Sequence, residues 1–120
     1  MEHKVWYDAD NEMIRICFEG EYLTADVPKI KEKLIEFGSG KERRQLVIEL
    51  SNAAKVESRE TRELSNQAMK EAQIEHVAFI GGSAANRMIA KVLLKTGALK
   101  TQGNFFKNLD EGINWLKSIR

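Results

Sequence analysis

Two short apolar runs constrain this chain most. Leu46-Val47-Ile48-Glu49-Leu50 and His76-Val77-Ala78-Phe79-Ile80 show almost no alternation of apolar with polar residues. A strand with one face in water alternates, so unbroken runs of this length read as strands buried on both faces. Helices must then cover both sides of the sheet these strands join. The periodicity around the runs supplies them. Val27, Ile30, Leu34 and Phe37 recur at helical spacing before the first run, with Gly38 as the stop. Thr24 or Asp26 can cap that helix, and Pro28 falls in its first turn, where a missing N–H costs little. A second helix is predicted from about Ser58 to Ala72. Its inward face is thin, with Leu64, Ala68, Met69 and Ala72, which reads as loose seating. Another helix follows Gly81-Gly82-Ser83, with Ala85, Met88, Ile89, Val92 and Leu93 inward and Gly97 as its stop. The closing helix buries Leu109, Ile113, Leu116 and Ile119 beside Trp115, and Asn108 with Glu111 forms a capping box at its start.

The remaining strands frame these elements. Val5-Trp6-Tyr7 and Met13 to Phe18, joined by the turn residues Asp8 to Glu12, read as an antiparallel hairpin that Gly20 ends. Asn104-Phe105-Phe106 reads as a short last strand. The order is ββαβαβαβα, an α/β fold with a mixed five-stranded sheet, a leading hairpin and flanking helices. Right-handed crossovers then place the Ser58 and Gly81 junctions along one rim of the sheet.

At 120 residues and 13.7 kDa the chain reads as one domain, residues 1–120. Apolar residues make up 42% and charged residues 31%, a balance that supports a folded core. Nineteen basic residues against eighteen acidic ones leave a net charge of +1, with no global pull toward nucleic acid or anionic lipid. The start Met1-Glu2-His3-Lys4-Val5 does not resemble a signal peptide, and no apolar run approaches the ~20 residues of a membrane span. A cytoplasmic protein is the expectation, and the single cysteine, Cys17, fits a reducing compartment.

The residues offer little catalytic chemistry. His3 sits at the terminus, where solvation is expected, and His76 opens a strand as a satisfied edge residue. Two isolated histidines and one cysteine make no metal-ligand spacing, so neither metal nor cofactor is expected. Cys17, within a strand, reads as a small buried hydrophobe. Gly82-Ser83-Ala84-Ala85 lacks the glycine pattern of a nucleophile elbow. Two readings stand for Gly81-Gly82-Ser83: a tight turn with a serine cap, or an anion-binding turn at a helix N-terminus, with Arg87 one turn on. Ser58 likewise reads as an N-cap or as a phosphoryl site favoured by Arg59 and Arg62 and opposed by Glu57, Glu60 and Glu63. Lys41-Glu42-Arg43-Arg44 reads as a solvated loop. Phe105, Phe106 and Trp115 read as core, with an apolar pocket wall against Met88, Ile89, Val92 and Leu93 as the alternative.

Three segments together resemble the SpoIIAA-like (STAS-related) superfamily. They are Leu46-Val47-Ile48-Glu49-Leu50-Ser51-Asn52, then Ile74 to Ser83, and Phe105-Phe106 followed by Asp110-Glu111-Gly112-Ile113-Asn114-Trp115-Leu116. The resemblance covers about residues 4 to 117. It implies the STAS architecture, which is also compared with lipid-binding CRAL-TRIO domains. In anti-sigma-factor antagonists of this superfamily, a partner kinase phosphorylates a serine at the start of the second helix, and Ser58 falls at that place. The antagonists read Asp-Ser-Ser-Gly there, whereas this chain reads Glu57-Ser58-Arg59-Glu60.

These readings point first to a non-enzymatic regulatory module. It would bind a partner protein, such as an anti-sigma-type kinase or regulator, through the Ser58 loop and the outer helix face bearing Arg59, Arg62 and Asn66. The alternative is a carrier or sensor for a small acidic or lipid ligand, with Gly81, Gly82, Ser83 and Arg87 holding an anionic head.

Overall fold

The computed structural model describes residues 2–56, 59–81 and 102–120. In chain order the elements are β1 (Lys4–Asp8), β2 (Met13–Cys17), β3 (Gly20–Tyr22), a 3-10 turn (Thr24–Asp26), α1 (Val27–Gly38), β4 (Gln45–Glu49), β5 (Ala53–Val56), α2 (Arg59–Glu71), β6 (His76–Ile80), β7 (Gln102–Phe106) and α3 (Leu109–Ser118). The main sheet has five strands in the order β1-β2-β4-β6-β7. β1 and β2 form the antiparallel hairpin, and β2, β4, β6 and β7 run parallel. This is the mixed five-stranded α/β sheet that the order of apolar runs predicts. The helix expected over Ala85 to Leu93 lies outside the described residues.

The two apolar runs sit inside the sheet, as their lack of alternation requires. Leu46, Ile48, Val77 and Phe79 face one side, packed with Ile14, Ile16, Ile30, Leu34, Met69 and Ala72 under α1 and α2. Val47, Ala78 and Ile80 face the other, packed with Met13, Ile113 and Leu116 under α3. Each fully buried Leu, Ile, Val or Phe side chain contributes about 1.5–3 kcal/mol relative to exposure. Phe105 stacks on Phe79 with ring centroids 5.0 Å apart, and Phe106 meets Trp115 at 5.4 Å, so these aromatics pack against the two cores. Gly112 lets α3 lie close to the sheet, since a Cβ there would sit 2.5 Å from Ile80 Cδ1 and 3.4 Å from Ala78 Cβ. Asn108 caps α3 as its sequence predicts, its side chain accepting the Glu111 N–H at 3.0 Å. Gln45 Nε2 donates to the Leu116 carbonyl at 2.8 Å and fixes the other end of that helix.

One pairing is invisible in the periodicity. β3 and β5 form a second, two-stranded parallel ribbon, with Gly20 opposite Ala53 and Tyr22 opposite Val56. Gly20 therefore opens a strand rather than only ending one.

The seat of α2 also departs from expectation. Leu64 is not inward; it is 37% exposed, whereas Thr61 is fully buried. The inner stripe is Thr61, Ser65, Ala68, Met69 and Ala72, and its amino-terminal half is held by hydroxyls. Thr61 Oγ1 and Thr24 Oγ1 lie 2.6 Å apart, and the Tyr22 hydroxyl donates to Ser65 Oγ at 3.0 Å. The apolar face is thin because hydrogen bonds take its place, so the helix is not loosely seated there.

Those bonds are anchored in turn by His3, which is 6% exposed rather than solvated. The Glu19 N–H donates to His3 Nδ1 at 3.0 Å. That assigns the ring proton to Nε2, which donates to Asp26 Oδ2 at 3.1 Å. The ring lies edge-on to Phe18 at 5.0 Å and to Tyr22 at 5.7 Å. Asp26 also accepts the Leu23 N–H at 3.1 Å, so its carboxylate closes the 3-10 turn and makes no cap on α1.

Two outcomes follow from this seat. Thr61→Val keeps volume but removes a buried hydroxyl, and should lower stability by about 1–2 kcal/mol. Leu64→Ala should change stability by less than about 1 kcal/mol, since the side chain is largely outside the core. Urea unfolding midpoints at unchanged slope read both, and the reverse ranking would restore the apolar seat. Burial, chiefly, pushes the Tyr22 phenol up to about 12. The folded value lies above the ordinary value of about 10, so this contribution is intact below pH ~10 and is lost as pH rises from 10 toward 12. Urea midpoints should fall across that window in the native chain and fall less in Tyr22→Phe.

Candidate functional site

Because β2, β4, β6 and β7 are parallel, their carboxyl ends share one rim. The register places Cys17 beside Glu49, Glu49 beside Ile80 and Ile80 beside Phe106. The ladder runs one residue further at each junction. Phe18 N–H donates to the Glu49 carbonyl at 3.2 Å, Leu50 N–H to the Ile80 carbonyl at 2.8 Å, and Gly81 N–H to the Phe106 carbonyl at 3.2 Å. Beyond the rim, Gly20 N–H donates to the Asn52 carbonyl at 2.9 Å and starts the β3–β5 ribbon.

Gly81 adopts φ +69°, and a Cβ on it would stand 2.5 Å from Ser51 Oγ. The left-handed backbone is what favours glycine there, while the close approach marks Ser51 of the β4–β5 turn as a neighbour. Ser51, just after β4, and Gly81, just after β6, therefore lie side by side on one rim; the expected Ser58 junction itself lies outside the described residues. Within the Gly81-Gly82-Ser83 turn, only Gly81 is described, and its N–H is committed to the Phe106 carbonyl rather than to a ligand. Gly82, Ser83 and Arg87 lie outside the described residues, as does the pocket expected against Met88 to Leu93. Ser58 and Glu57 lie outside them too. Arg59 and Arg62 belong to α2.

The described rim is acidic and well bonded. Glu19 Oε1 accepts from Asn52 Nδ2 and from Cys17 Sγ, each at 3.4 Å. Burial, then the Glu19 contact, pushes the Cys17 thiol up, which keeps it protonated and weakly nucleophilic. Arg15 pairs with Glu49 at 3.2 Å and with Asp8 at 3.7 Å, and its guanidinium lies 4.8 Å from the Trp6 ring centre. Both ring nitrogens of His3 are occupied, so it offers no free base. His76 belongs to an interior strand, not a sheet edge; its Nδ1 is buried without a partner among the described residues, and the ring meets Trp115 edge-on at 6.4 Å. Among the described residues no three His, Cys, Asp or Glu side chains converge on a metal position. Nor is any described helix long and apolar enough to cross a membrane.

Of the residues expected at a partner surface, Asn66 is the one whose side chain is described, and it is buried rather than on the outer face of the helix. It is 5% exposed, and its Oδ1 is buried with no hydrogen-bond partner among the described residues. It lies in an open groove of about 580 Å³ with Glu63, Gln67, Lys70, Glu71 and Gln73. One wall is fixed: Glu71 pairs with Lys31 of α1 and accepts from Gln67 Nε2 at 3.2 Å. The Lys31 bond, chiefly, holds the exposed Glu71 carboxyl below its usual range. The groove has no sequence signature, because its residues look like any solvated helix face. Only the buried amide, one position past Ser65 on the helix, marks it.

Solved structures share this architecture. An uncharacterized protein of the DUF3478 family from Shewanella loihica PV-4, with a SpoIIAA-like fold, superposes with a TM-score of 0.70 at 14% identity, covering 95% of this chain and 91% of its own. The anti-sigma factor antagonist SpoIIAA in its unphosphorylated form gives 0.67 at 12% identity, over 98% and 97% of the two chains. An anti-sigma-factor antagonist (STAS) domain protein from Planctomyces limnophilus gives 0.62 at 17% identity, over 96% and 97%. The fold is thus SpoIIAA-like, as the three sequence segments suggest. No curated protein matches the sequence. The model of a domain of unknown function, DUF7793, matches residues 21–120, and the chain belongs to that family.

Proposed function

We propose that this chain is a non-catalytic, cytoplasmic regulatory module that binds a partner protein through the loop at Ser58 and the adjoining face of α2. Arg59, Arg62 and Asn66 are its contact residues, and an anti-sigma-type regulator is the class of partner. The observation that carries the reading is Asn66. A buried amide oxygen without a donor costs about 1–3 kcal/mol, and a turn of the amide toward the groove would present that oxygen to an N–H of a docked partner. The fold shared with SpoIIAA supports the same assignment. The hydroxyl seat of α2 supports it further, because it holds the helix in place while the groove beside Asn66 stays open.

A structural asparagine and a binding asparagine behave oppositely on truncation. Asn66→Ala should leave the urea midpoint unchanged or raise it, since it removes an unpaired acceptor and adds helix propensity. The same variant, like Arg59→Ala and Arg62→Ala, should lose at least about tenfold of the affinity for a partner identified by site-specific crosslinking from Gln67 in the native host. Loss of more than about 1 kcal/mol of stability in Asn66→Ala, or undiminished partner affinity in all three variants, would contradict the reading.

A further inference from the structure

The outer edge of β1 remains to be accounted for. β1 pairs with β2 and is the terminal strand of the sheet, so its other side presents unpaired backbone groups among the described residues. Val5 and Tyr7 pack toward the α1 side. By strand alternation Lys4, Trp6 and Asp8 face the other side, where α3 packs over β4, β6 and β7. The half of that face over β1 and β2 carries Trp6, stacked under Arg15, and Lys4, which is exposed and makes no ion pair among the described residues.

The charges on this edge specify what can pair with it. A parallel copy of the strand would set Lys4 against Lys4 and Asp8 against Asp8. An antiparallel copy with its two-fold axis at Trp6 sets Lys4 against Asp8 on both sides of a Trp6–Trp6 contact, and Val5 against Tyr7 on the opposite face. Like charges directly opposed destabilise a strand pair and opposite charges stabilise it. Shifting the axis to Val5 or Tyr7 breaks both charge pairs. Asn11 and Arg15 hold the Asp8 carboxyl below its usual range, so it is anionic at neutral pH.

We propose that β1 is a self-association edge, on which a second copy of this chain pairs antiparallel about Trp6, joining the two sheets through reciprocal Lys4–Asp8 contacts. The interface is isologous, as two-fold closure requires. It lies on a different element from the α2 groove. An edge of five residues is small, so the dimer is a weak one that forms at high concentration.

Sedimentation equilibrium on the full chain up to about 1 mM tests this. The native chain should show a monomer–dimer equilibrium. Lys4→Glu and Asp8→Lys should each weaken self-association at least about tenfold, and their equimolar mixture should restore it, because each variant offers the charge the other lacks. Should Asp8→Lys fail to fold by circular dichroism, the series Lys4, Lys4→Gln, Lys4→Glu reads the same contact, with association falling in that order. A native chain that stays monomeric throughout, a Lys4→Glu chain that associates as the native one does, or a mixture of folded variants that fails to associate would overturn the proposal.

Discussion

The structure depends on removing β4 and β6 from water on both faces. Leu46, Val47, Val77 and Ala78 have no accessible surface, and neighbours along each strand point into opposite cores. No packing on one side alone achieves that, so the chain needs helical layers above and below. Crossovers that return the chain to parallel strands then put the carboxyl ends of β2, β4, β6 and β7 on one rim. The meeting of Ser51 with Gly81 follows from this geometry. Leu50 and Gly81 extend the same ladder by one residue each, which sets Ser51 beside Gly81.

The second constraint is polar. α2 has too few apolar residues to be held by burial alone, and its first two turns are fastened through Thr61 and Ser65 to Thr24 and Tyr22. Those two residues flank Leu23 in a segment that His3, Asp26 and the Glu19 amide hold together. The N-terminus thus acts at a distance: a ring at position 3 shapes the turn that seats a helix beginning at position 59. Hydrogen bonds of this kind are directional, so they fix α2's rotation about its axis as well as its depth. That rotation turns Leu64 outward and leaves Asn66 at the floor of the groove.

Much of this was legible in the residues, and what was not has a common cause. Leu46 to Leu50 and His76 to Ile80 announced buried strands because local composition alone carries that signal. Gly38 and Asn108 marked helix ends for the same local reason. The β3–β5 ribbon was not legible: each strand is only three or four residues long, and Gly20 meets its partner Ala53 through a contact far apart in sequence. His3 looked solvated because a terminus usually is, and the Asp26 carboxylate that buries it lies 23 positions away. Leu64 looked inward because periodicity counts apolar residues and cannot see that a threonine and a serine hold the helix. Periodicity likewise sets Asn66 on the outer face of α2, and its burial follows from the same hydroxyl-fixed rotation.

The shared rim can be read in solution from through-hydrogen-bond scalar couplings in the NMR spectrum of the uniformly labelled chain. Correlations should join the Leu50 amide nitrogen to the Ile80 carbonyl carbon and the Gly81 amide nitrogen to the Phe106 carbonyl carbon. A correlation from either amide to a different carbonyl would rule the shared rim out, because the ends of β4, β6 and β7 would then not lie in register.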